Sequence, residues 1–187
     1  MINLAILASH NGSNLDAINE AIQTNKLDAK ISVIISNNND ANVLKKAKEL
    51  SIDSFVVNQK TASVPDEKIA EILETYQCDC VVLSGYMKKL STQITESFKI
   101  INSHPALLPK YGGSGMYGRF VHEAVIANKE SKSGVSIHFV NEHYDEGEII
   151  LQKELVLSQD ETVESLERKI KELEKQAVVE ALEICLK

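Results

Sequence analysis

The chain has 187 residues, 43% of them hydrophobic and 25% charged, with a formal net charge of −7. Those values fit one soluble globular domain, residues 1–187, whose core needs no disulfide or metal staple. The acidic balance argues against nucleic-acid binding, no apolar run approaches a membrane span, and the start Met-Ile-Asn-Leu-Ala-Ile-Leu-Ala-Ser has no positive leader, so a cytoplasmic protein is expected.

Strands are expected at 3–8, 31–35, 54–57, 80–84, 100–102, 134–140 and 149–156, and helices at 14–23, 41–50, 66–76, 120–128 and 162–186. The early strands are almost unbroken apolar runs, such as Leu4-Ala5-Ile6-Leu7-Ala8 and Val81-Val82-Leu83. Such runs belong to a parallel sheet covered on both faces. Their alternation with helices predicts an α/β fold, doubly wound and Rossmann-like, with helices on both faces. The short polar link between the last two strands suggests antiparallel pairing, so the sheet is mixed but mostly parallel. Ser158-x-x-Glu161 resembles a capping box ahead of the final amphipathic helix, with Val163, Leu166, Ile170, Leu173 and Ala177 on one stripe. The three cysteines, Cys78, Cys80 and Cys185, form no framework, and the first two read as small buried hydrophobes rather than zinc ligands.

Ligands of such sheets sit beyond the carboxyl ends of the strands. Segments 9–14, 85–90, 102–118 and 141–147 are expected at that edge. The turn Ser9-His10-Asn11-Gly12-Ser13-Asn14 opens the first helix, where free N–H groups and the helix dipole favour an anion. Read without function, it is a capped turn with Ser13 or Asn14 as N-cap. Asn102 and His104 pair an amide donor with an imidazole that titrates near neutrality. Two of the three prolines, Pro105 and Pro109, follow at once, and four of the eight glycines lie between Gly112 and Gly118. The acidic loop 141–147 offers a carboxylate, from Glu142, Asp145 or Glu146, able to orient His104; read without function, it is a solvated hairpin turn. No nucleophile elbow or helical zinc motif is present; His122-Glu123 lacks the second histidine. One imidazole, one amide and one carboxylate suit acyl transfer between two bound substrates.

Four landmarks occur in order along nearly the whole chain: Gly12-Ser-Asn-Leu15, Gly85-Tyr-Met-Lys-Lys-Leu-Ser91, Asn102-x-His104-Pro105 with Leu107-Leu-Pro-Lys110, and Asp145-x-Gly147 with Ile149-Ile-Leu-Gln152. Together they resemble the phosphoribosylglycinamide formyltransferase family, folate-dependent enzymes of purine biosynthesis. The resemblance implies formyl transfer from 10-formyltetrahydrofolate to the amine of glycinamide ribonucleotide, with no metal, by a monomer or homodimer. It makes His104 the catalytic acid, Asn102 a stabiliser of the oxyanion and part of the folate site, and Asp145 the group that raises the His104 pKa. It puts the ribonucleotide phosphate on Gly12, Ser13 and Asn14, with Lys171 and Glu174 nearby, and lines the folate pocket with Met87, Lys88, Lys89 and Leu90. Lys88 stands where the family commonly has Arg, segment 112–118 is longer than usual, and Lys60 is the candidate for the folate tail. The rival readings are a 10-formyltetrahydrofolate hydrolase, a methionyl-tRNA formyltransferase, or a non-catalytic module that binds nucleotide or folate.

Overall fold

The computed structural model describes residues 1–186. Seven strands form one sheet in the order β3-β2-β1-β4-β5-β6-β7. The chain divides into two compact units at the middle of β5, Met1–Ile101 and Asn102 onward.

The first unit holds β1 (Ile2–Leu7), α1 (Leu15–Gln23), β2 (Ala29–Ser36), α2 (Asn42–Glu49), β3 (Ser54–Val56), α3 (Pro65–Thr75), β4 (Cys80–Leu83) and α4 (Thr92–Ser97), and it enters β5 (Ile100–His104). β1 runs parallel to β2 on one side and to β4 on the other, with Leu4 opposite Cys80 and Leu7 opposite Leu83. Leu4, Ile6, Leu7, Val33, Ile34, Ile35 and Val81 are wholly buried. This is the two-sided cover that the apolar runs predict. The chain leaves β1 towards β2 and returns to β4 on the opposite side, so the crevice between β1 and β4 is a topological switch point.

The second unit continues from β5 to α5 (Arg119–Ala127), β6 (Lys132–Phe139), β7 (Ile149–Val156) and α6 (Val163–Cys185). β6 and β7 pair antiparallel, as the short link predicts, with a register shift at Ile137/His138. α6 packs on both strands through Leu166, Ile170, Ala177, Val178, Ala181 and Leu182. Each fully buried leucine or isoleucine there contributes about 1.5–3 kcal/mol. Glu180 interrupts the apolar stripe and pairs with Lys153 Nζ at 2.5 Å.

Two local expectations change. The cap of α6 is Thr162, which accepts from the Ser165 N–H while the Ser165 hydroxyl accepts from the Thr162 N–H. Ser158 reaches Glu161 only at 3.4–3.5 Å, too long to serve as the cap. α4 is an additional helix of six residues, too short for an amphipathic period to show in sequence. Among the described residues no helix is long and apolar enough to cross a membrane.

Candidate active site

β5 ends on His104, so Asn102 and His104 point to the same side of the strand, two residues apart. Both belong to the second unit, and so does Asp145 on the β6–β7 connection. The ring of His104 is 3% exposed. Its Nδ1 lies 3.4 Å from Asp145 Oδ2, and its Nε2 lies 2.7 Å from the Tyr111 carbonyl oxygen. Burial lowers the His104 pKa and is the largest influence; Asp145 and the Tyr111 carbonyl pull it upward without overcoming burial. Asp145 therefore acts in the expected direction, but the imidazole still titrates below its ordinary value.

Burial alone would raise the Asp145 carboxyl. His138, His104 and the Gly113 N–H outweigh that effect and hold it below the usual carboxylate range. Gly113 donates its N–H to Asp145 Oδ2 at 3.0 Å, which ties the glycine-rich segment to the acid. Asp145 itself sits at φ +58°, a left-handed conformation that Asp tolerates better than most residues. The connection stays tight because a Cβ on Gly147 would meet the Phe139 carbonyl oxygen at 1.7 Å.

Asn102 Nδ2 lies 3.2 Å from His138 Nε2. His138 Nδ1 faces the Phe139 carbonyl at 2.8 Å, and a carbonyl only accepts. With the hydrogen on Nδ1, Nε2 accepts one hydrogen of the Asn102 amide; with the hydrogen on Nε2, the ring instead points it towards Asp145 Oδ1, 3.5 Å away. His138 sits where the β6–β7 register shifts, a bulge that re-aims its side chain.

The proposed phosphate turn lies in the first unit. Gly12 adopts φ +55°, and a Cβ there would stand 2.5 Å from Val43 Cγ2. Asn14 is the N-cap of α1 by position, but its side chain makes no cap bond. It is fully buried, and both amide atoms lack a protein partner, while its backbone N–H donates to Ser84 Oγ at 3.1 Å. A buried carboxamide with no partner is costly unless a ligand supplies one. Ser13 is half-buried beside it.

Met87, Lys88, Lys89 and Leu90 follow β4 in the same unit. The first three are exposed and Leu90 is buried. Ser9, wholly buried, accepts the Met87 N–H at 2.7 Å, donates to Asn37 Oδ1 at 2.5 Å, and gives its own N–H to the Gly85 carbonyl at 3.1 Å. The loops after β1, β2, β3 and β4 enclose a cavity of about 1160 Å³, whose walls include His10, Asn38, Asn58, Lys60, Tyr86 and Lys88. Lys171 and Glu174 lie on α6 in the second unit; Lys171 is exposed and pairs with Glu167 Oε1 at 2.5 Å.

The sequence did not single out His138, the Tyr111 carbonyl, the Gly113 N–H or Ser9 as parts of these sites. Two of them are backbone groups, which carry no residue signature. A histidine among the buried residues of β6 was the one available signal. Among the described residues no group of three or more His, Cys, Asp or Glu is gathered to hold a metal.

Residues 2–182 match the family model described as formyl transferase. The phosphoribosylglycinamide formyltransferase of Haemophilus influenzae is 36% identical over 94% of this chain and 83% of its own length. The crystal structure of glycinamide ribonucleotide transformylase 1 from Symbiobacterium toebii superposes with a TM-score of 0.89 at 30% identity, covering 97% of this chain and 86% of that one. A formyltetrahydrofolate deformylase from Pseudomonas syringae shares the fold, with a TM-score of 0.85 at 23% identity over 97% of this chain and 60% of that one.

Proposed function

The chain belongs to the formyl transferase family, and we propose that it transfers the formyl group of 10-formyltetrahydrofolate to the amine of glycinamide ribonucleotide. The observation that carries this reading is the convergence of Asp145 with the Asn102–His104 pair, about forty residues away in sequence: it stands 3.4 Å from His104 and 3.5 Å from His138, which meets the Asn102 amide at 3.2 Å. The proposed roles draw on both units, so the functional unit is the whole chain, residues 1–187, acting in the cytoplasm.

The chemistry follows from the groups present. The neutral amine of the ribonucleotide attacks the formyl carbon, and the formyl oxygen becomes an oxyanion. The free hydrogen of the Asn102 amide, held in place by His138, donates to that oxygen. Such a donor typically contributes a factor of about 10²–10³ in rate. The attacking nitrogen gains positive charge and must lose a proton, while N10 of the folate must gain one before it leaves. His104 is neutral at rest because burial disfavours its charge. It accepts the proton from the adduct and returns it to N10, and Asp145 stabilises the imidazolium between the two transfers. His104 is thus the acid of the second step because it was the base of the first.

Gly12, Ser13 and Asn14 are assigned the phosphate of the ribonucleotide, supported by the unpartnered Asn14 amide at the start of α1. Lys171 and Glu174 are assigned to the ribonucleotide, and Met87 to Leu90 with Asn102 to the folate. The cavity of the first unit is large enough for a drug-sized ligand. Lys60 and Lys88 on its wall would serve an anionic tail.

The test is a product assay with glycinamide ribonucleotide and water as competing acceptors. Formylglycinamide ribonucleotide in equal amount to tetrahydrofolate supports the transferase. Free formate as the main product would instead identify a hydrolase.

A further inference from the structure

Both ring nitrogens of His104 face protein acceptors, and they are not equivalent. Nε2 lies 2.7 Å from the Tyr111 carbonyl oxygen, a full hydrogen bond. Nδ1 lies 3.4 Å from Asp145 Oδ2, beyond the usual N–H···O distance. Neither the carbonyl nor the ionised carboxylate has a proton to give, so the shorter contact decides: in the neutral ring the hydrogen sits on Nε2 and Nδ1 is the lone-pair edge. Tyr111 thereby selects the tautomer that the proposed chemistry needs, with the proton-accepting nitrogen beside Asp145.

The direction of that carbonyl is itself fixed. Tyr111 adopts φ +58°, a left-handed conformation that is unusual for a bulky residue. Its phenol donates to Glu130 Oε1 at 2.8 Å, and Lys110 Nζ reaches the same oxygen at 3.0 Å. Glu130 stands at the turn between α5 and β6, so a point outside the Asn102–Asp145 cluster holds the Tyr111 backbone in its strained state. The other ionisable groups facing His104 are His138 from β6 and His122 from α5, and neither of them bonds to Nε2.

We propose that Tyr111 is a positioning residue for His104, anchored through its hydroxyl to Glu130, and that its main-chain oxygen keeps the imidazole as the Nε2–H tautomer. When the anchor is lost, the Tyr111 backbone relaxes and the carbonyl turns away. The ring hydrogen then moves to Nδ1 and bonds Asp145, closing the edge that must accept a proton. The kinetic part of this inference rests on the formyl-transfer reading; the tautomer part does not.

The experiment uses the full chain labelled with ¹⁵N-histidine, with His104 assigned by the signals missing from His104→Gln. Tautomers are read from the two ring-nitrogen shifts in wild type, Tyr111→Phe, Glu130→Ala and Lys110→Gln, alongside kcat, KM and melting curves. Expected are Nε2–H in wild type and in Lys110→Gln, and a shift to mainly Nδ1–H in Tyr111→Phe and Glu130→Ala, both of which abolish the phenol's bond to residue 130. With that shift kcat should fall by about tenfold while KM for the ribonucleotide changes by less than about twofold. Should Tyr111→Phe not fold, Glu130→Ala carries the test, since it leaves the tyrosine ring in place. The idea is overturned if His104 stays Nε2–H in the folded variants, or if wild type is already Nδ1–H. A tautomer shift in a protein that transfers no formyl group would support the positioning role and sink the functional reading alone.

Discussion

At the scale of single residues, the cluster separates groups that contact the reaction from groups that aim them. His104→Ala removes the proposed proton carrier and should lower kcat by about 10²–10⁴ while the Kd of the ribonucleotide, measured by calorimetry, stays within about threefold. Asn102→Ala should cost about 10²–10³ in kcat for want of the oxyanion donor. Asp145→Asn removes an influence that raises the His104 pKa, while burial, which lowers it, remains. The limb of the pH–rate profile owed to His104 should therefore move further towards acid, and an unmoved limb would count against the pairing. Asn102 and His104 were legible in the sequence because they close and follow a predicted strand, whereas Asp145 was one of three acids in its loop and only the family resemblance singled it out. Tyr111 and Gly113 were not, because their contributions are a carbonyl and an N–H that any residue carries. What marks them is conformation, φ +58° and φ +92°, which only the fold reveals.

Among the elements, the turn between β1 and α1 depends on one glycine. Gly12→Ala would put a methyl 2.5 Å from Val43 Cγ2 and force a side chain into φ +55°. Overpacking and left-handed strain cost about 1–3 kcal/mol each, so the melting temperature should fall and ribonucleotide affinity with it. Adding Val43→Ala should restore part of the stability, since it relieves the clash but not the backbone strain. Thr162→Ala, by contrast, removes the cap of α6 and should cost about 0.5–2 kcal/mol in denaturant melts with little change in KM. Element type was readable where apolar runs or a helical period were long, as in β1, β2 and α6. It was not readable in α4, whose six residues span less than two turns. The expected cap at Ser158 shows a further limit. Ser158-x-x-Glu161 carries the usual acid of a capping box, whereas the box that forms, Thr162 with Ser165, has a hydroxyl in that place and so lacks the familiar pattern.

For the whole molecule, the histidines link stability to pH. His104 and His122 are both buried, and burial lowers each pKa from the ordinary histidine value of 6.5. A lowered histidine pKa means that the unfolded chain binds protons that the folded chain refuses. Stability is therefore complete above about pH 6.5 and declines as pH falls from there towards the folded-state values. Asp145 acts in a lower window, since its depressed pKa withdraws stability only as pH falls below the ordinary carboxylate value of 3.8. Melting temperature should rise with pH up to about 6.5 and then level off, and His122→Gln should flatten that rise without abolishing turnover. The fold class was legible as a whole because alternation of strand and helix repeats along the chain. The strand order, with β1 between β2 and β4, left no local mark.

The claim on which the account turns is that one imidazole carries a proton from the attacking amine to the departing folate nitrogen. Single-turnover formyl transfer to glycinamide ribonucleotide, compared across pH in wild type and His104→Ala, measures it directly. In wild type the rate should rise with pH through an enzyme ionisation below 6.5, separate from that of the substrate amine, and in the variant it should be at least about a hundredfold lower with that ionisation missing. Near-equal rates, or the same ionisation persisting without the imidazole, would contradict it.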